Sequence, residues 1–198
     1  MEFRRVAVLV LVMLTATSVS AADDDLDPIT FAGEDYKIAH KDARDGGNSL
    51  VELLRNGDNL QTWRKLIAFH RFPNSGESPK DAVLALAALL KQRDPETKFA
   101  IIENPKTREV IIDFLASDRG TDEVELNVFK YARHHSKKGL VAIQFAERFR
   151  LGEASGEGVK KSRQTAIDEA AIFDIEYADP YLRTRGAADD EPDLSKTD

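Results

Sequence analysis

Midway along this chain the apolar spacing changes from helical to strand period, and that change limits the possible folds more than any other feature. From Ser78 to Arg93 the period is helical, with Val83, Leu86, Ala87 and Leu90 at i, i+3, i+4 and i+7. Ser78 is a good N-cap, and Pro79 takes the first helical position, where its missing N–H costs nothing. Lys91 and Arg93 sit near the negative end of the helix dipole, and Asp94-Pro95 stops the helix. Beyond it the period falls to two. Phe99 to Glu103 and Val110 to Leu115 flank Asn104-Pro105-Lys106-Thr107-Arg108 and read as a hairpin, with Val110, Ile112 and Phe114 on one face. After a turn at Ser117–Gly120, Val124 to Tyr131 and Leu140 to Phe149 form a second hairpin around His134 to Gly139. Val141, Ile143, Phe145 and Phe149 share a face of it. Consecutive hairpins favour an antiparallel sheet, and separate helices then lie on its faces. The expected class is α+β: an antiparallel β-sheet covered by helices, an α/β/α sandwich.

The flanking sequence extends this plan. Tyr36 to His40 reads as a strand with Tyr36, Ile38 and His40 on one face, and Ser49 to Arg55 as the next. Turn clusters at Asp45–Asn48 and Asn56–Asn59 separate these segments. Leu60 to Arg64 reads as a short helical turn feeding a strand that runs to Phe72. A Gly-rich loop from Leu151 to Gly158 leads to a last helix over Val159–Ile175, striped by Val159, Ala166, Ile167, Ala170 and Phe173. No internal repeat is visible. The single domain is expected over residues 34–180. Acidic segments at 22–33 and 181–198 are expected to be disordered, because low hydrophobicity with one sign of charge does not offset the entropy of ordering.

The first 21 residues have the layout of a secretory signal peptide: basic Arg4-Arg5, an apolar run from Val6 to Leu14, and a small-residue site ending at Ala21. That run is far shorter than the roughly 20 residues of a membrane-spanning helix. The expected location is the periplasm or the exterior. Cleavage after Ala21 leaves 177 of the 198 residues. It removes one acid and two bases, taking the net charge from −7 to −8. Such acidity argues against nucleic acid and anionic membrane surfaces as partners. No second apolar run reaches spanning length, so no membrane anchor is expected. There is no Cys, and both Met residues, Met1 and Met13, lie in the leader. A chain without sulfur has no disulfides, no thiol nucleophile, no thiolate zinc site and no iron–sulfur cluster.

The order of these segments resembles the PsbP-like fold of the extrinsic subunits of the photosynthetic oxygen-evolving complex and their nuclear Ran-binding relatives. The resemblance runs from Tyr36 to about Phe173. It includes the turn before Trp63, the helix Ser78–Arg93, two hairpins and a closing helix. Glu125–Tyr131 followed by Lys138–Arg148 carries it most clearly. It implies an α/β/α sandwich and a binding or assembly module without catalytic residues, and it assigns no site residue.

The residues themselves offer few sites. His134 and His135 point to opposite faces on a regular strand, but in a hairpin loop both can turn to one ligand. Arg133, Lys137 and Lys138 make that tip cationic, which opposes a metal ion and suits an acidic partner protein. No metal and no cofactor are expected. Trp63, the only tryptophan, reads as a core anchor and, alternatively, as an interface anchor. His70 is a candidate general base that needs a carboxylate to orient it. Asp23-Asp24-Asp25 lacks the spacing of a calcium loop. Gly152–Gly156 is not G-x-S-x-G, and Gly156–Ser162 lacks the spacing of a phosphate loop. The expected function is an exported envelope binding or assembly module with a protein partner. The alternatives are a periplasmic hydrolase acting through His70 and a carboxylate, or a small-ligand or metal carrier.

Overall fold

The computed structural model describes residues 26–43, 47–117, 121–136, 138–153 and 155–182. The expected signal segment at residues 1–21, the Asp23–Asp25 run, Lys137 and most of the acidic C-terminal segment lie outside these residues.

The chain is an α+β fold built on one eight-stranded sheet. Its strands are β1 (Ile29–Phe31), β2 (Glu34–Ala43), β3 (Ser49–Arg55), β4 (Lys65–Phe72), β5 (Phe99–Glu103), β6 (Val110–Ser117), β7 (Glu123–Arg133) and β8 (Leu140–Arg150). The helices are α1 (Pro79–Arg93) and α2 (Gly156–Ile172), the latter followed by a 3-10 turn (Ile175–Ala178) and the short α3 (Asp179–Leu182). The order across the sheet is β1-β2-β3-β4-β8-β7-β6-β5, and every neighbouring pair is antiparallel. The first four strands meander inward. The chain then leaves through α1 to the far edge at β5 and returns strand by strand until β8 closes on β4. Among the described residues, no helix is long and apolar enough to cross a membrane.

The helix start is built as its sequence predicts. Ser78 Oγ accepts from the Asp81 N–H at 3.1 Å, and the Ser78 N–H donates to Asp81 Oδ2 at 3.3 Å, a reciprocal capping box. Ala82, Val83, Leu86 and Ala87 share a core cluster with Val110, Ile112, Phe114, Phe129, Tyr131, Leu140 and Ala142. The opposite parity of each strand supplies a second cluster. It holds Val51, Leu53, Ile67, Phe69, Ile111, Leu126, Val128, Val141, Ile143 and Phe145 with Ala166, Ile167 and Ala170 of α2. Alternation along a strand puts these two sets on opposite faces. Arg163 of α2 forks onto the buried Asp113 carboxylate, with Nη2 donating to Oδ2 at 2.9 Å. Lys130, buried on the same face, donates to the Phe173 carbonyl at 2.7 Å and pairs with Glu109 at 3.1 Å.

Four expectations need correction. Residues 22–33 are not wholly disordered, because Ile29–Phe31 pair with β2 as β1 and bury Ile29 and Phe31. The expected tail at 181–198 begins too early, because Tyr181 and Leu182 are helical and buried. His40 does not share a face with Tyr36 and Ile38. A bulge between Ile38 and His40 leaves Ala39 without a register partner and pairs His40 with Glu52, on the opposite face from the Leu53 that pairs with Ile38. The last helix starts at Gly156 rather than Val159 and ends at Ile172, because Ser155 caps it by accepting the Gly158 N–H at 3.0 Å.

Candidate functional site

Three places gather chemistry: the β7–β8 hairpin tip, a polar row across one sheet face, and the β5 edge.

The tip departs from strand geometry at His134. Gly139 makes this possible, with φ +71°, and a Cβ there would sit 2.0 Å from the Phe72 carbonyl oxygen. Because β7 ends at Arg133, both imidazoles turn the same way, their ring centroids 4.0 Å apart. Both meet Asp179, the first residue of α3. His134 Nε2 lies 3.1 Å from Oδ1, and His135 Nδ1 lies 2.8 Å from Oδ2. The other His134 nitrogen, Nδ1, is 2.6 Å from Ser136 Oγ and 3.3 Å from the Ser136 N–H. Burial and the charge of Arg71 hold the His134 imidazole below its ordinary pKa, against the pull of Asp179. His134 is half-buried and His135 is exposed. Arg133 and Lys138 are exposed, and Arg133 reaches the Ser75 and Gly76 carbonyls at 3.5 and 3.4 Å. The tip is therefore less cationic than its own sequence reads, because a carboxylate 45 residues away is folded onto it.

The polar row separates two apolar clusters on the α1 side of the sheet. His70 Nε2 is 3.0 Å from Gln144 Oε1. Gln144 Nε2 donates to Asn127 Oδ1 at 2.8 Å, and Asn127 Nδ2 donates to Glu125 Oε1 at 3.0 Å. Arg148 Nε then donates to Glu125 Oε2 at 3.2 Å. The direction of the Gln144–Asn127 bond leaves Oε1 as the acceptor toward His70, which therefore carries its proton on Nε2. On this chain of bonds an amide stands beside His70, and Glu125, the carboxylate at its far end, already serves Asn127 and Arg148. Beyond the row lies Trp63, only 2% exposed, packed with Leu54, Leu66, Ala68 and Ala146. The Arg148 guanidinium stacks 3.8 Å from its ring centroid. Trp63 is thus a core anchor without helical partners in its cluster, and burial removes it as an exposed interface residue.

The sheet has two edges, β1 and β5. Ile101 and Ile102 of β5 are 38% and 45% exposed. Ile101 pairs with Ile112 and Ile102 with Ile111, so the two side chains lie on opposite faces. Of the residues expected at a site, the structure brings His134 and His135 together and leaves Trp63 and His70 elsewhere. Asp179 was missed by sequence reasoning. Its one signal was Asp179-Pro180 immediately after an apolar turn, a pattern that marks a helix start without marking a site.

The antiparallel sheet with its two long helices makes this an α+β domain rather than a barrel or a parallel α/β fold. Within that class, the chain belongs to the protein family whose model matches it over residues 26–175. The matched span includes the whole sheet, α1, α2 and both tip histidines, and it stops before Asp179. No curated protein and no solved structure matches the chain.

Proposed function

We propose that the protein is an exported binding or assembly module of the cell envelope, without catalysis, and that the β5 edge receives an extended segment of a partner protein. One observation carries this reading. β5 is the outermost strand, with β6 as its one pairing neighbour among the described residues, and it exposes an isoleucine on each face. An edge strand offers a row of backbone N–H and C=O groups, and strand addition uses them for affinity while side-chain contacts give specificity. Ile101 and Ile102 suit apolar side chains on both faces of the incoming strand. Arg133 and Lys138 stand at the sheet end where β5 finishes, which favours an acidic flank on that partner.

The leader-like pattern at residues 1–21 supports the envelope location. The two core clusters, each combining one helix with one sheet face, support an α/β/α sandwich of the PsbP-like kind. The test is capture from envelope extract with wild type and Ile102→Arg, followed by amide exchange on the recovered complex. The reading requires a partner that wild type retains, that Ile102→Arg loses, and that protects amides at 99–103. Equal recovery by both proteins, or protection elsewhere, sinks it.

A further inference from the structure

We propose that His134, His135 and Asp179 form a binding site for a divalent first-row transition ion of the zinc type, which ties α3 to the β7–β8 hairpin. The donors come from two segments 45 residues apart in sequence, and the fold has already gathered them. One ligand atom from each of the three lies within 4.8 Å of the others. The Asp179 oxygens are 3.1 and 2.8 Å from the facing nitrogens. Zinc bonds of about 2.0–2.2 Å to nitrogen and oxygen hold tetrahedral donors about 3.3–3.5 Å apart, so a small spreading of the trio admits an ion.

The surroundings also fit a ligand set. With an ion on Nε2 the ring proton of His134 moves to Nδ1, which gives up the Ser136 N–H at 3.3 Å and donates a hydrogen bond to Ser136 Oγ at 2.6 Å. This is the outer contact that orients a metal-ligating histidine. His135, with its side chain 51% exposed, leaves an entry path and room for water or a fourth donor.

The charge of the site selects the ion. Arg71 is close enough to act on both His134 and Asp179, and the exposed Arg133 and Lys138 flank the histidines in sequence. The carboxylate is thus offset by guanidinium before any ion arrives. Calcium and magnesium depend on several anionic oxygens and find one. Affinity has to come from imidazole nitrogen, the donor that suits zinc, copper and nickel.

The experiment is calorimetric titration of the chelator-treated full chain with zinc chloride, with magnesium chloride in parallel, and thermal unfolding in each ion. The expected result is one saturable zinc equivalent and a rise in Tm, with neither effect from magnesium. His135→Gln, at an exposed position, should keep the wild-type fold and weaken zinc binding at least about tenfold, and Asp179→Asn should do the same. Absence of saturable zinc heat in wild type overturns the proposal. So does zinc binding that both variants retain, which would locate the ion elsewhere, for instance on the acidic terminal segments. A magnesium effect equal to that of zinc also overturns it.

Discussion

The two edges of the sheet solve the same problem in opposite ways. An edge strand presents unpaired backbone groups, and folded proteins blunt that hazard by keeping the strand short or by tying it down. β1 is three residues long, and both of its inward side chains, Ile29 and Phe31, are buried. Phe31 stacks on Phe145 at 5.4 Å, and the Tyr181 hydroxyl from α3 donates to the Asp27 carbonyl at 2.5 Å just before the strand. β5 is longer and wears isoleucine on both faces in contact with solvent. One edge is closed by packing, and the other keeps two isoleucines exposed, as the proposed strand addition requires. The contrast predicts that substitutions at β1 act on folding and those at β5 on association.

Phe31→Ala should break the β1 edge most severely. Removing a buried aromatic from a packed cluster costs about 3–5 kcal/mol, read as a lower midpoint in chemical denaturation. Binding by whatever remains folded should be unchanged. Ile102→Arg is the mirror experiment. It should reduce partner affinity at least about tenfold, roughly 1.4 kcal/mol, in a direct binding titration. Its unfolding free energy should stay within about 0.5 kcal/mol of wild type, because the position is exposed. A large loss of stability there would show that β5 is part of the core, and the comparison would fail. Tyr181→Phe deletes only the hydrogen bond to Asp27. It should cost about 1 kcal/mol in denaturation and leave β5 binding untouched.

The same contrast explains which parts of the fold could be read in advance. β5 and β6 were legible because Phe99–Glu103 and Val110–Leu115 flank a turn-rich loop. That loop is now held by Asn104 Oδ1 accepting from Lys106 and Thr107. α1 was legible because Ser78, Pro79 and Asp81 encode its start locally. β1 was not, because Ile29-Thr30-Phe31 is too short to show a period and follows an acidic run. Its place depends on Phe145 and Tyr181, more than a hundred residues away. His40 was misplaced because a one-residue bulge reverses every later side chain and leaves no mark on composition. The tip cluster was half legible. Adjacent histidines in a hairpin loop could be seen, whereas Asp179 reaches them only through the packing of α3 beneath the sheet.

The smallest effect tests whether β2, the strand that carries β1, is also fastened electrostatically to β3 and β4. Glu34 opens β2 directly after the β1–β2 turn and receives Lys65 at 2.5 Å and Arg55 at 3.1 Å. Partial burial raises its pKa, but the Lys65 and Arg55 contacts outweigh that and hold it below the ordinary 4.5. A carboxyl with a depressed folded pKa contributes stability above its ordinary value, and that contribution fades as pH falls through the folded one. Glu34→Gln should therefore lower stability at pH 7 by a few tenths of a kcal/mol, the scale of a half-exposed ion pair. The gap between variant and wild type should close as pH drops below 4.5, measured by denaturation at a series of pH values. High salt should shrink it as well. A gap that persists at low pH would assign Glu34 a packing role, and the β1 edge would then be held by its pairing with β2, the Thr30–Asp35 bond, apolar contacts and the Tyr181 bond.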